Sequence, residues 1–253
     1  MIHFLKKLIR KIFNQIGLDI VRISESSKHA FLSYHYQRHN QRRLEHLASL
    51  GLKIRNSTVL ETGAGIGDLT SFFIDRGCEV VTSDARKENI KILRSRYPNL
   101  PVLHLNLDNP PEIFSEQFDI VYCYGTLYHL KNPAEAIEFM SRICKKVLLL
   151  ETCVSFGDEN SHNPCIEYAL NPTQSVSGRG CRPTRRWIYS QLKKYFDFIY
   201  LPITQPNHEE FPIDWTSPPP NKQTLARAVF IASRKKIINK LLVEEIPMKQ
   251  RRH

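Results

Sequence analysis

The sequence has no CxxC pair, and its six cysteines (Cys78, Cys123, Cys144, Cys153, Cys165 and Cys181) stand at no metal-type spacing with histidine. A disulfide scaffold and a structural zinc module are therefore not expected, and a reducing cytoplasmic setting is. No apolar run approaches the roughly 20 residues that cross a bilayer, so no spanning segment is expected, and no secretory signal is read. Glycine is scarce, 10 residues against 15 prolines, and no internal repeat is visible, which removes collagenous, low-complexity and solenoid classes. With 42% hydrophobic and 24% charged residues, a chain of 253 residues can bury a sizeable core, and one α/β domain with extensions is the simplest division.

Positive charge is in excess, but it lies at the ends. The formal total of +11 divides into +8 for residues 1–55, +5 for residues 234–253 and −2 for the span between them. This suits tails or a surface helix meeting an anionic partner better than a basic cleft gripping a duplex. Within 2–16, Leu5, Leu8, Ile9, Ile12, Phe13 and Ile16 recur at helical spacing, with Lys6, Lys7, Arg10 and Lys11 on other faces. Such a basic amphipathic helix suits either an anionic membrane surface, at its inner face, or docking on the domain. A second helix over about 30–50 carries Leu44, Leu47 and Leu50 among histidines and arginines that are expected to be solvated. Residues 1–55 thus form a helical extension, and 234–253 a frayed basic tail.

Between them, short apolar runs alternate with helical segments: STVLET, EVVTSD, LPVLHLN, FDIVYCY and KVLLLET, with helices near 68–76, 87–96 and 133–143. That alternation predicts a doubly wound, mostly parallel sheet with right-handed crossovers. The pattern lapses over about 152–186, a length typical of a functional lid. Two late strand candidates, FDFIYLPI and LARAVFIAS, are separated by an insert at about 202–223, and the core domain spans 56–233.

The most informative stretch is VLETGAGIGDLT, a buried strand followed by Glu61, Gly63, Gly65 and Gly67 and then a helix. Glycines there let the backbone turn sharply and approach a ligand at the carboxyl edge of the first strand. A dinucleotide fingerprint needs glycine where Asp68 stands, and Glu61 is a poor neighbour for a pyrophosphate, so the loop favours a cofactor without phosphate. A second strand ends on Asp84, seventeen residues after Gly67, where a carboxylate can accept two hydrogen bonds from a ribose diol. A third ends near Leu107 and Asp108, within reach of an adenine edge.

With these residues in place, the chain resembles the class I S-adenosylmethionine-dependent methyltransferases over about 56–151, with weaker likeness through 233. The resemblance implies a Rossmann-like, seven-stranded sheet with a C-terminal antiparallel hairpin. It implies S-adenosylmethionine as cofactor, with Glu61, Gly63, Gly65 and Gly67 around its methionine part, Asp84 on the ribose, Leu107 and Asp108 near adenine, and Tyr124 and Gly125 beside the sulfonium. Two segments, YGTLYHLKNP and LLLETCV, look like those of the bacterial tRNA wobble-uridine carboxymethyltransferases, whose members use a carboxylated form of the cofactor.

Methyl transfer depends chiefly on alignment, and orientation can lower a barrier by about 7–11 kcal/mol. If the acceptor is a hydroxyl, His129 is the candidate base, with Tyr128 as a wall of the pocket. Four arginines in eight residues, Arg179, Arg182, Arg185 and Arg186, followed by Trp187, suggest an anionic acceptor. His208 with Glu209 or Asp214 lacks a second histidine at ligand spacing, so no metal is expected. The resulting expectation is O-methylation of a small or glycan-type anionic acceptor. A tRNA-modifying enzyme and a non-catalytic interaction module stand as alternatives, and the oligomeric state is open.

Overall fold

The computed structural model describes residues 9, 11–17, 29–218 and 225–253. Of the predicted amphipathic helix, 2–8 and 10 lie outside the described residues. Residues 11–15 are helical, with Ile12 and Ile16 exposed. Residues 219–224 of the insert also lie outside the description.

Helix α1 (Tyr34–Ser49) begins where the Ser33 hydroxyl accepts from the Tyr36 amide at 3.4 Å, satisfying one amide of the first turn. Its buried face is not purely apolar, because His39, Asn40, Arg43 and His46 are turned inward with Leu47. The expectation of solvated histidines and arginines therefore fails for these positions.

Five strands follow with helices between them: β1 (Thr58–Thr62), α2 (Ser71–Ile74), β2 (Glu79–Asp84), α3 (Lys87–Arg96), β3 (Val102–His104), β4 (Phe118–Tyr124), α4 (Pro133–Ile143) and β5 (Cys144–Val154). All five are parallel, in the spatial order β3-β2-β1-β4-β5. Beyond β5 come a small antiparallel hairpin, β6 (Pro164–Ile166) with β7 (Arg179–Cys181), then α5 (Arg185–Lys193), β8 (Phe198–Pro202), β9 (Thr204–Gln205) and β10 (Ala226–Ser233). β10 runs antiparallel between β5 and β8, as the resemblance implies.

The main sheet has eight strands, not seven, because β11 (Leu242–Val243) joins the far edge beside β8. β12 (Arg251–Arg252) pairs with β9, and the Trp215 amide donates to the Met248 carbonyl at 2.9 Å. The expected frayed tail is thus a docked strap. Its apolar anchors, Leu242 among them, escape a reading dominated by its lysines and arginines.

Alternation along the strands creates two cores. Val121 and Cys123 of β4 point to the layer of α4 and α5, with Ile137, Met140, Ile188 and Leu192. Ile120, Tyr122 and Tyr124 point to the layer of α1 and α2, with Leu47, Phe72 and Phe73. The sheet's carboxyl edge lies between these layers.

Candidate functional site

A cleft of about 940 Å³ including its mouth opens at the carboxyl ends of β1 to β4. Its floor is the loop after β1. Gly63 and Gly65 adopt φ of +63° and +59°, a conformation that disfavours side chains. A Cβ on Gly63 would overlap the Thr126 side chain, whose hydroxyl donates to the Thr62 carbonyl at 3.2 Å. Gly63→Ala is therefore expected to destabilise the fold by at least about 1–2 kcal/mol through backbone conformation alone, with more from the overlap. Denaturant unfolding of Gly63→Ala, Thr126→Ala and the double variant separates the parts, since Thr126→Ala alone measures the loss of its own hydrogen bond.

Asp84, 6% exposed, anchors the same loop. Its Oδ2 accepts from the Gly65 amide at 2.9 Å, and its Oδ1 accepts from the Arg86 amide at 2.7 Å and from Asn89 Nδ2 at 3.2 Å. Burial raises its pKa to about 6 despite these donors. Glu61 sits beneath the loop, with Oε2 accepting from the Thr70 hydroxyl at 2.6 Å, and burial raises it to about 7. Asp108 accepts from the Lys131 and Asn132 amides at 2.6 and 3.1 Å, ahead of α4.

The wall beyond β4 carries a hydrogen-bonded dyad. His129 Nδ1 lies 2.5 Å from Glu167 Oε2, on the lid. Burial lowers the imidazole pKa, and the Glu167 carboxylate only partly opposes this. Glu167 would be raised by burial, but His129, the Ser175 amide and Arg182 hold it below the ordinary range. The lid is itself clamped, because Arg86 Nη2 donates to the carbonyls of Ala169, Gln174 and Ser175 at 2.9, 2.9 and 3.1 Å. Residues 172–176 thereby form one side of the cleft.

Another part of the wall is a buried ionic network assembled from distant segments. Arg43 of α1 bonds Glu151 of β5; Arg227 of β10 donates to Glu151 at 3.1 Å, to Glu210 at 2.5 Å and to the Tyr128 hydroxyl at 3.2 Å. Burial would raise the Glu151 carboxyl, but the two guanidiniums outweigh it and keep it low. Burial holds the Tyr128 phenol well above its ordinary range.

Of the residues singled out from the sequence, Gly63, Gly65, Asp84, Leu107, Asp108, Tyr124, Gly125, Tyr128 and His129 line this one cleft. Glu61 and Gly67 do not; Glu61 turns to Thr70, and Gly67 packs against Tyr97 and Leu93. The arginine cluster is dispersed. Arg186 forms a bidentate pair with exposed Asp158, and Arg185 donates to the Pro247 carbonyl at 2.6 Å over the Trp215 ring. Arg182 pairs with Glu167, Trp187 is in the core, and Arg179 is exposed on β7. None of the five lines the cleft. Local density of arginine carries no information about partners brought in by folding.

Residues missed from the sequence include Phe31, Tyr36, His39, Asn40, Arg43 and Arg227 in the cleft wall, and Glu167 and Glu151 behind it. One signal was available. Glu151 and Arg227 interrupt otherwise apolar strands, and a charge in such a run needs a buried partner.

Residues 33–199 match the family described as a methyltransferase domain. No curated protein sequence matches the chain. Similar solved structures include the N-terminal domain of EvdMO1 in the presence of S-adenosylhomocysteine and D-fucose, at 17% identity, covering 80% of this chain and 85% of that one, TM-score 0.59. Burkholderia thailandensis 1,6-didemethyltoxoflavin-N1-methyltransferase with S-adenosylhomocysteine is 17% identical, with coverages of 92% and 90% and a TM-score of 0.51. Magnesium protoporphyrin IX methyltransferase from Synechocystis PCC 6803 with bound S-adenosylmethionine is 14% identical, with coverages of 91% and 97% and a TM-score of 0.50. These likenesses establish the fold, and with about two thirds of its length matched to the family, the chain belongs to the methyltransferase-domain family as an S-adenosylmethionine-dependent enzyme.

Proposed function

We propose that this enzyme methylates a hydroxyl of a small polar acceptor, with His129 as general base. The observation that carries this reading is the His129–Glu167 dyad in the wall of the cofactor cleft. When bound, S-adenosylmethionine supplies a methyl group already activated by its sulfonium. Asp84 accepts the ribose hydroxyls, Leu107 and Asp108 border the adenine, the Gly63–Gly65 backbone holds the methionine part, and Tyr124 and Gly125 flank the transfer point. Glu167 fixes the imidazole orientation through Nδ1, leaving Nε2 to take the acceptor proton.

A small acceptor agrees with the three solved structures, which concern a sugar-exposed domain, a toxoflavin precursor and a porphyrin. An anionic acceptor loses its support, because Arg182, Arg185 and Arg186 are engaged within the fold. Of the cleft's three arginines, Arg43 and Arg227 are bonded to Glu151, and Arg227 also to Glu210, which leaves their network formally neutral, while Arg86 donates to the lid carbonyls of Ala169, Gln174 and Ser175.

His129→Ala is expected to lower kcat about 10²- to 10⁴-fold while S-adenosylhomocysteine affinity stays near wild type. Release of S-adenosylhomocysteine over a panel of sugars and sugar acids measures it. In the wild type, kcat/KM rises with pH through an inflection below the ordinary histidine range, and this inflection disappears in the variant. Unchanged kcat removes the base role. A tRNA acceptor makes a different demand, tRNA binding that falls steeply with salt, and the same protein run against tRNA tests it.

A further inference from the structure

The sequence offers His208 no second histidine at ligand spacing, but the fold supplies two. His35 and His39 stand four residues apart on α1, so they share one face, and the 206–211 loop packs against that face. His39, His208 and Glu210 place their ligand atoms within 4.8 Å of one another, and so do His35, His208 and Glu209. The closest approaches are His35 Nε2 to Glu210 Oε1 at 3.3 Å, His208 Nε2 to Glu209 Oε1 at 3.6 Å and His39 Nε2 to Glu210 Oε2 at 3.7 Å.

Two atoms at the centre ask for a ligand. His39 and His208 are 4% and 2% exposed, and the buried Nε2 of each has no hydrogen-bond partner among the described residues. A buried imidazole nitrogen without a partner is costly. At His39 an ion can take the lone pair, and at His208, whose Nδ1 accepts from the Glu210 amide at 3.3 Å, binding through Nε2 moves the ring proton to Nδ1 in place of that long hydrogen bond. The two rings meet edge to face, with centroids 4.9 Å apart.

The surroundings hold the ligands in place. Arg227 Nε donates to Glu210 at 2.5 Å, and the Arg227 amide donates to the Glu210 carbonyl at 2.7 Å. Arg252 Nη1 donates to the carbonyls of Pro206, His208 and Phe211, which fixes the loop's backbone. Hydrogen-bonded support of this kind is what orients the ligands of a metal site. His39 is also part of the cofactor cleft wall, so an ion held here sits at the edge of that cleft.

We propose that His39, His208 and Glu210 form a divalent-metal site, completed to four ligands at its mouth by His35, while Glu209 stays paired with Arg38. Imidazole nitrogen with carboxylate oxygen selects a borderline transition ion of the zinc class over magnesium or calcium, which prefer all-oxygen sets. A tetrahedral ion needs ligands about 2.0–2.2 Å away, so donor atoms that lie within 4.8 Å of one another draw together on binding.

The test uses untagged, chelator-stripped full chain titrated with Zn²⁺ by calorimetry and with Co²⁺ by visible spectroscopy, without donor or acceptor. It therefore reads independently of the methylation reading. One equivalent of zinc and a cobalt d–d band of nitrogen–oxygen ligation are expected. His208→Ala and His39→Ala should each weaken zinc binding by at least about 100-fold, and His35→Ala, an exposed change, by about 10-fold. A far-ultraviolet circular dichroism spectrum and a cooperative thermal transition like those of the wild type show that a variant is folded. If a buried variant fails to fold, His35→Ala and the cobalt spectrum decide alone. The proposal is overturned if the wild type takes up no stoichiometric zinc, if His35→Ala and the folded buried variants bind it as tightly as wild type, or if cobalt shows a thiolate charge-transfer band, placing the ion on a cysteine.

Discussion

Glu151→Gln is expected to lower the unfolding free energy by about 3–5 kcal/mol, the cost of stranding buried cations without their carboxylate. Glu151 is fully buried, and it is the group shared by Arg43 and Arg227, themselves 4% and 5% exposed. In a domain of this size that loss lowers Tm by roughly 6–20 °C. The pH dependence identifies the cause. The folded Glu151 carboxyl lies below its ordinary value, so its stabilisation is present above the unfolded pKa and is lost as pH falls through the folded one. The gap between wild type and variant should therefore be full at neutral pH and narrow below about pH 4. Adding Arg43→Met to Glu151→Gln should recover part of the loss, since it removes one stranded cation. A Glu151→Gln variant within about 1 kcal/mol of wild type by denaturant unfolding would mean that water reaches the network and the charges are not truly desolvated.

The same network shows where the sequence is legible. β1, β2, β4 and β5 are readable because strands covered on both faces must be nearly continuous apolar runs, and few other segments here have that texture. The loop from Gly63 to Gly67 and Asp84 is readable because turning back over a strand end restricts the residue types that fit. The ionic wall of the cleft obeys no such local rule. Arg43, Glu151 and Arg227 come from α1, β5 and β10, and their partnership arises only when β10 inserts beside β5 in antiparallel register, setting Arg227 opposite Cys153 and Val229 opposite Glu151. His35 and His39 look like polar positions of a solvated helix until the 206–211 loop packs beside both and buries His39. The arginines of 179–186 fail in the opposite sense. Their density suggests one site, while β7, the connection after it and the first turn of α5 send them to Glu167, Pro247 and Asp158. The C-terminal segment fails for a related reason, because Leu242 and the backbone pairing at Arg251–Arg252 outweigh a charge pattern that reads as solvated.

Asp84→Ala is expected to weaken S-adenosylhomocysteine binding by about 10²- to 10⁴-fold, from the loss of two charge-assisted hydrogen bonds worth about 1.5–3 kcal/mol each to the ribose diol. Alanine also frees both the Gly65 and Arg86 amides that Asp84 holds, so Asp84→Asn, which keeps the shape and one acceptor oxygen while removing the charge, is the sharper probe. The proton adds a second, independent signature. In the free protein, burial raises this carboxyl to about 6, and only its ionised form accepts from both ribose hydroxyls. Affinity should therefore be constant above about pH 7 and fall towards tenfold per pH unit below about pH 6, as ligand and proton compete for the same oxygens. The sign for the free protein is opposite. A raised folded pKa contributes stability that is full below the unfolded value and is lost as pH rises through about 6, so ligand and acid each favour a different charge state of Asp84. Glu61, raised to about 7, adds to that loss of stability but stands outside the cleft wall, so it leaves the affinity profile largely unchanged. Calorimetric titration from about pH 5 to 8 checks both variants, and the inflection near pH 6 should vanish in Asp84→Asn. An inflection that persists there would move the titrating group elsewhere, and wild-type affinity in a folded Asp84→Ala would remove Asp84 from the ribose.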